Sequence, residues 1–406
     1  MGKNKNVNAQ YIEKYAETET AHLDKLSLPN CVDSALVIPA YREGAEFIQR
    51  FIQSPFHQTG KLLIVVINQP DNDFDKAPQQ ALYDEALALG QVVDKQHNLT
   101  LITLPSTQSM LLIVDRFNTP IPHKQGVGLA RKIGCDLAAS LYNRQLIGNR
   151  FICSSDADAH LPDNYFSHST SVDAATVCIG LNFQHHCQDE LINNANALYE
   201  KALRYYVAGL TYAKSDYAFF TIGSVLAFDV NAYCQCRGFP KRAAGEDFYL
   251  LNKLVKLGRY QYFADIVINL EARTSSRVPF GTGPAVAEII AKQQNAYNYP
   301  YYNPQLFVEL KALLTAFGNL YEHRLQLQCW THQLSSISTH GLTAIGFDRF
   351  IRSQAQTSKQ QFNKQLCSFF DAFKTLKYLH ALREQGLSDI ALHQAITTAP
   401  FPLERQ

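Results

Sequence analysis

Between residues 34 and 158 the chain alternates short apolar runs with helical stretches, and this constrains its fold more than any other feature. SALVIPA (34–40), KLLIVVIN (61–68), LTLITL (99–104), LLIVDRF (111–117) and RFICSSDAD (150–158) are rich in Val, Ile and Leu, some with little polar alternation. Strands covered on both faces have that character. Between them, Ala77 to Leu89 and Leu129 to Tyr142 read as helices; in the second, Leu129, Ile133, Leu137 and Leu141 recur every fourth residue and line one face. Strand alternating with helix predicts an α/β fold with a mostly parallel central sheet.

Beyond residue 158 the pattern is mixed. Strands are expected near 177–186, 224–230 and 262–270, and helices near 190–213 and from Glu246 to Leu257. From about 286 the strand signal stops. Leu306, Leu310, Leu313, Phe317 and Leu320 follow helical spacing, as do Phe362, Leu366, Phe369, Phe373 and Leu376, predicting a C-terminal helical region. A charged helical pattern over residues 8–27 reads as an N-terminal extension. The expected division is 1–32, 33–285 and 286–406.

Composition narrows the functional classes. With 46% hydrophobic residues in 406, the chain can bury a large core, which excludes disorder and a small disulfide scaffold. Lys plus Arg number 37 against 36 Asp plus Glu, a net charge of +1, so nothing global attracts nucleic acid or an anionic membrane. Nine Cys without a C-x-x-C pair argue against a disulfide framework or a structural zinc, and for a reducing compartment. The N-terminus lacks an apolar signal core, and no window approaches the roughly 20 apolar residues of a membrane span. A soluble, cytoplasmic protein is expected.

Four segments carry candidate chemistry. Ser155-Asp156-Ala157-Asp158 follows the apolar run FICS, and carboxylates two apart at a strand exit can address one hard cation, although Asp-x-Asp also occurs in ordinary turns. VIPAYREG (37–44) is a buried strand expected to end at Pro39 and release Tyr41, Arg42 and Glu43 at the sheet edge. KQGVGLARKIG (124–134) places Gly126 and Gly128 before a helix bearing Arg131 and Lys132, and a helix start suits phosphate. In GFPKRAAGEDFYLL (238–251), Glu246 and Asp247 open an amphipathic helix, where an acidic residue also simply stabilises the helix start.

Taken in order, VIPAYRE, the K-x-x-x-G-x-A-R run, SDADAHLPDNYF and the GF…GED segment resemble the family 2 glycosyltransferases, over roughly residues 33 to 285. The resemblance implies a Rossmann-like GT-A fold, and an inverting transfer from a nucleotide-diphosphate sugar to a hydroxyl acceptor that depends on Mn²⁺ or Mg²⁺. It implies that Pro39, Ala40, Tyr41 and Glu43 border the base and ribose, with Asn68 and Asp71 at the end of the second strand. Lys124, Gly128 and Arg131 would lie beside the nucleotide. Asp156 and Asp158 would hold the ribose and the metal, and Asp247 would be the catalytic base.

The chain departs from the family at INQPDND, where two adjacent acidic residues are usual, and in lacking Q-x-x-R-W, which favours a non-processive enzyme. In EARTSSRVPFGTGPA (271–285), Arg277 is either a clamp on the leaving diphosphate or a surface residue beside a turn. His185 and His186 are adjacent on an expected strand and face opposite sides, which disfavours a shared ion. Cys234 and Cys236 read as small hydrophobes on a strand. The C-terminal stripes either complete a core or dock a partner or a membrane surface bearing a lipid-linked acceptor, in envelope polysaccharide or glycoconjugate synthesis. A sugar-nucleotide nucleotidyltransferase lacks support, because VIPAYREG has no G-x-G-x-R loop; an inactive scaffold is disfavoured by the intact Asp156, Asp158 and Asp247.

Overall fold

The computed structural model describes residues 6–105, 107–272 and 281–403. The chain divides into two compact units, Met1–Cys187 with Thr221–Pro284 and Gln188–Phe220 with Ala285–Gln406. The N-terminal extension thus belongs to the first unit. Residues 188–220, expected within the α/β body, group instead with the C-terminal helices.

The first unit is built on a mixed sheet of β1 (Ser34–Ala40), β2 (Lys61–Pro70), β3 (Gln91–Gln96), β4 (Leu99–Thr103), β5 (Met110–Ile121), β6 (Phe151–Ser154), β7 (Ala159–His160), β8 (Thr176–His186), β9 (Leu226–Asp229) and β10 (Arg259–Glu271). The order is β3-β4-β5-β2-β1-β6-β9-β8-β10-β7. β5, β2, β1 and β6 are parallel and form its centre, as the unbroken apolar runs require. β9 runs antiparallel between β6 and β8, and β3 and β4 form an antiparallel edge beside β5.

Leu36, Val37, Leu63, Ile64 and Val65 are fully buried, so both faces of the central strands are covered. The unit's helices are α1 (Val7–Lys14), α2 (Glu46–Gln53), α3 (Ala77–Ala88) and α4 (Gly126–Asn143). α4 is buried continuously from Gly128 to Leu141, and contains the stripe read from the sequence. The chain continues through α5 (Glu190–Tyr212) of the second unit and returns to α6 (Val230–Gln235) and α7 (Glu246–Leu254).

Two local expectations are corrected. Pro39 does not end β1, which runs to Ala40 with Pro39 opposite Val66 of β2. Val37 turns its carbonyl toward β6, where it accepts from Ser155 N–H at 3.0 Å, and Pro39 shares that orientation two residues on. Pairing with β6 has ended by then, so the missing N–H costs no ladder bond. Cys234 lies on helix α6 and Cys236 caps it, not on a strand.

The second unit is helical, with a short ladder joining Pro300–Tyr301 to Ile390–Ala391. Tyr205 of α5 packs in one apolar cluster with Phe307, Leu310, Trp330, Phe362, Tyr378 and Leu382. Both predicted stripes supply this core, except for Phe373, which is 39% exposed, and Leu376, which is half-buried outside the cluster. Among the described residues no helix is long and apolar enough to cross a membrane.

Candidate active site

The chain reaches β2 and β5 on one side of β1 and β6 on the other, so the strand order reverses between β1 and β6. Open α/β sheets bind ligands outside the carboxyl ends of their strands at such a reversal. The segments leaving those ends here are residues 41–44 after β1, 71–76 after β2, 122–125 after β5 and 155–158 after β6. They carry Tyr41, Glu43, Asp71, Lys124, Asp156 and Asp158 of the residues picked out from the sequence.

Arg131 organises the site. It points from α4 into the interior, 3% exposed, and its donors are taken by protein acceptors. Nη1 donates to Ser154 Oγ at 2.9 Å and to the Ser155 carbonyl at 3.0 Å; Nη2 donates to Asp156 Oδ1 at 2.5 Å; Nε donates to Glu246 Oε1 at 2.9 Å. Burial alone would lower the guanidinium's pKa, but the Asp156 and Glu246 carboxylates outweigh it and raise it. Arg131, expected beside the nucleotide, is bonded to protein groups and forms a buried tie between the β6 loop and α7.

Glu246, read from the sequence as helix-start chemistry, is buried and completes that tie. Only its adjacency to Asp247 marked it. Around them, Ser155 Oγ donates to the Ser224 carbonyl at 3.0 Å, and Arg50 Nη2 of α2 donates to the Ala157 carbonyl at 2.8 Å. The loop carrying Asp156 and Asp158 is therefore held at both flanks. Asp156 keeps about a third of its side chain exposed (34%), and Asp158 is half-buried.

Asp247 occupies the first turn of α7 after Gly245, whose φ of 71° lies in the left-handed region favoured by glycine. This start puts Glu246 inward on Arg131 and Asp247, half-buried, beside it. Burial, then the neighbouring Glu246 carboxylate, pushes the Asp247 carboxyl up to about 7. A 2.7 Å bond from Phe248 N–H and the Arg131 charge oppose this, while Asp156 adds to it. A carboxylate poised near neutrality suits a general base.

The nucleotide-side candidates form a second, more polar set. Tyr41 Oη donates to Asp73 Oδ2 at 2.6 Å, and Arg42 donates to Asp73 from Nε and Nη2, each at 3.0 Å. Asp73, which the sequence reading missed, thus joins the loops after β1 and β2; the Tyr41 hydroxyl leads in holding its carboxyl low. Asp71 accepts from both His123 N–H and Nδ1 at 2.9 Å, tying the β2 loop to the segment before α4, and His123 N–H leads in lowering its pKa. Asn68 is buried at the end of β2, its Oδ1 without a protein partner. Pro39 and Ala40 are buried at the end of β1, Glu43 is half-buried and Lys124 exposed.

Gly128, expected beside the nucleotide, packs against the protein's own backbone. Its N–H donates to the Arg242 carbonyl at 2.9 Å, and a Cβ there would lie 2.5 Å from the Pro240 carbonyl oxygen and 2.6 Å from that of Arg242. The glycine lets the 239–245 loop cross the start of α4, and one helix-start donor is used by protein. Arg277 lies outside the described residues.

Among the described residues no group of three or more His, Cys, Asp or Glu side chains is set to hold a metal ion. What the site offers is two carboxylates, Asp156 and Asp158, one oxygen of Asp156 being committed to Arg131. Mg²⁺ is commonly bound by one or two carboxylates together with substrate phosphates and retained waters. The donor set fits a hard cation of that kind, arriving with a diphosphate.

No protein-family model matches the chain, and no curated protein matches it. Solved structures of S. aureus TarS residues 1–349 are similar to it, one in complex with UDP-GlcNAc at a TM-score of 0.42 and one at 0.38. Each is 11% identical and covers 87% of this chain and 91% of that one. Similarity at this level leaves the chemistry to be argued from the side chains themselves.

Proposed function

We propose that this chain transfers a sugar from a nucleotide-diphosphate donor to a hydroxyl acceptor with inversion at the anomeric carbon. The observation that carries the reading is the Arg131 fork, which joins the Asp156 loop to the helix start bearing Asp247. Two carboxylates suited to different tasks are therefore joined through one fork, one partly exposed beside Asp158 and one poised near neutrality.

In this reading the base and ribose lie against the loops after β1 and β2, with Asn68 offering an unpaired buried acceptor. The Tyr41–Asp73–Arg42 and Asp71–His123 links fix those loops before the donor arrives, so little ordering cost falls on binding. Asp156 and Asp158 would hold Mn²⁺ or Mg²⁺, which supplies Lewis-acid stabilisation of the departing diphosphate.

Asp247 accepts the acceptor hydroxyl's proton while that oxygen forms a bond to the anomeric carbon and the bond from that carbon to the diphosphate oxygen breaks. The products are a glycoside, a nucleoside diphosphate and a protonated carboxyl. The fork keeps a positive charge inside the cluster, and that charge opposes the rise of the Asp247 carboxyl, which burial and Glu246 push up to about 7.

Thermal unfolding with UDP, GDP and dTDP, each with and without Mn²⁺, tests the donor half. A ligand bound only by the folded state at 100 times its Kd stabilises by about 2.7 kcal/mol. One nucleotide should raise Tm in a Mn²⁺-dependent manner; no response to any of the three would remove the assignment.

A further inference from the structure

The mechanism leaves unused a buried polar cluster between the N-terminal extension and α4. Lys132 and Asp136, one turn apart on α4, are both buried and paired at 2.7 Å. Asp136 also accepts from Tyr11 Oη at 2.6 Å, Tyr233 Oη at 2.8 Å and Glu17 N–H at 2.8 Å. Lys132 Nζ donates to Tyr11 Oη at 2.6 Å and to the Tyr15 carbonyl at 3.1 Å. Residues 11 to 17 are thus fastened to the helix that carries Arg131. A buried network satisfied this fully holds a single geometry.

Glu17 extends that fastening outward. Its backbone is fixed by Asp136, and its carboxylate takes Lys241 Nζ on both oxygens, at 2.7 and 2.9 Å. Lys241 lies in the 239–245 loop, which packs on the start of α4 at Gly128 and leads directly into Glu246 and Asp247. That loop is pinned on one side by the α4 backbone and on the other by Glu17.

We propose that Glu17 is a positioning residue, holding the loop before α7 through Lys241 so that the N-terminal extension sets the placement of Asp247. The proposal rests on the reading of Asp247 as the base. Misplacing a catalytic group by about 1 Å can cost on the order of 100-fold in rate. An ion pair exposed on its lysine side adds little to global stability. Loss of the Glu17–Lys241 pair is therefore expected in turnover and not in folding.

The test compares Lys241→Gln, Glu17→Gln and the double variant with wild type. Lys241→Gln leaves the buried cluster whole, so it keeps the test valid if Glu17→Gln folds poorly. Each single variant should lower kcat roughly 10- to 100-fold with the donor KM unchanged. The double variant should lose no more than the worse single one, because the pair acts as a unit. Hydrogen exchange of residues 239–245 should quicken in all three, and this readout needs no activity. Wild-type kcat and unchanged exchange in Lys241→Gln would overturn the proposal. If wild type transfers no sugar but exchange quickens in the variants, the brace stands and the assignment of the base fails.

Discussion

Arg131 Nε lies 2.9 Å from Glu246 Oε1, and this bond ties the second turn of the buried helix α4 to the first turn of α7. Both side chains are at most 7% exposed. Removing one partner of such a pair leaves a buried, uncompensated charge, which commonly costs about 3 to 5 kcal/mol. Arg131→Met, which strands Asp156 and Glu246 together, should lower unfolding free energy by about that amount in urea titration. Arg131→Lys keeps the charge but not the fork, and should recover only part of the loss.

Asp247 imposes a pH dependence of definite sign. As the base it must be ionised, so turnover should fall tenfold per unit as pH drops below about 7. Stability runs the other way. A carboxyl raised from 3.8 to about 7 in the fold contributes stability that is fully present below 3.8 and is lost as pH rises through 7. Asp247→Asn cannot ionise, so its Tm should exceed that of wild type at pH 8, with the gap closing toward pH 4. Scanning calorimetry at both pH values checks this.

Gly128 and Lys124 separate packing from ligand contact. Gly128→Ala forces a Cβ within 2.7 Å of backbone atoms of Pro240 and Arg242, and should destabilise by about 1 to 3 kcal/mol while slowing turnover. Lys124 is exposed, so Lys124→Ala should leave Tm within a degree or so and act, if at all, on donor KM. Parallel thermal melts and kinetics on the two variants decide the point.

The Asp156–Asp158 loop predicts a metal-linked donor affinity. Asp158→Asn should weaken Mn²⁺-dependent binding of the nucleoside diphosphate at least roughly tenfold while leaving metal-free binding unchanged. Calorimetric titration with Mn²⁺ and with EDTA separates the two.

The central sheet was legible in the sequence because β1, β2, β6 and the first half of β5 are covered on both faces and are apolar over those runs. β3 was not, since QVVDKQ lies at the sheet's edge with most of its residues exposed and carries no apolar run. The stripe of α4 was visible as a period. The inward direction of Arg131 was not legible, because a basic residue near a helix start can face either way and only the positions of Asp156 and Glu246 turn it inward. The same limit explains α5: periodicity shows that one face is apolar, but not whether a sheet or the helices after residue 285 will cover it. Asp73 and Glu17 act through partners 32 and 224 residues away, which no local pattern encodes.

The most direct measurement is release of nucleoside diphosphate from UDP-, GDP- and dTDP-sugars in the presence of Mn²⁺ and a mixed panel of hydroxyl acceptors, by wild type and Asp247→Asn side by side. Wild type should turn over at least one donor, and the variant should bind that donor as tightly while releasing product on the order of 100- to 10,000-fold more slowly. Release by Asp247→Asn at the wild-type rate, or no release from any donor by wild type, would contradict the account.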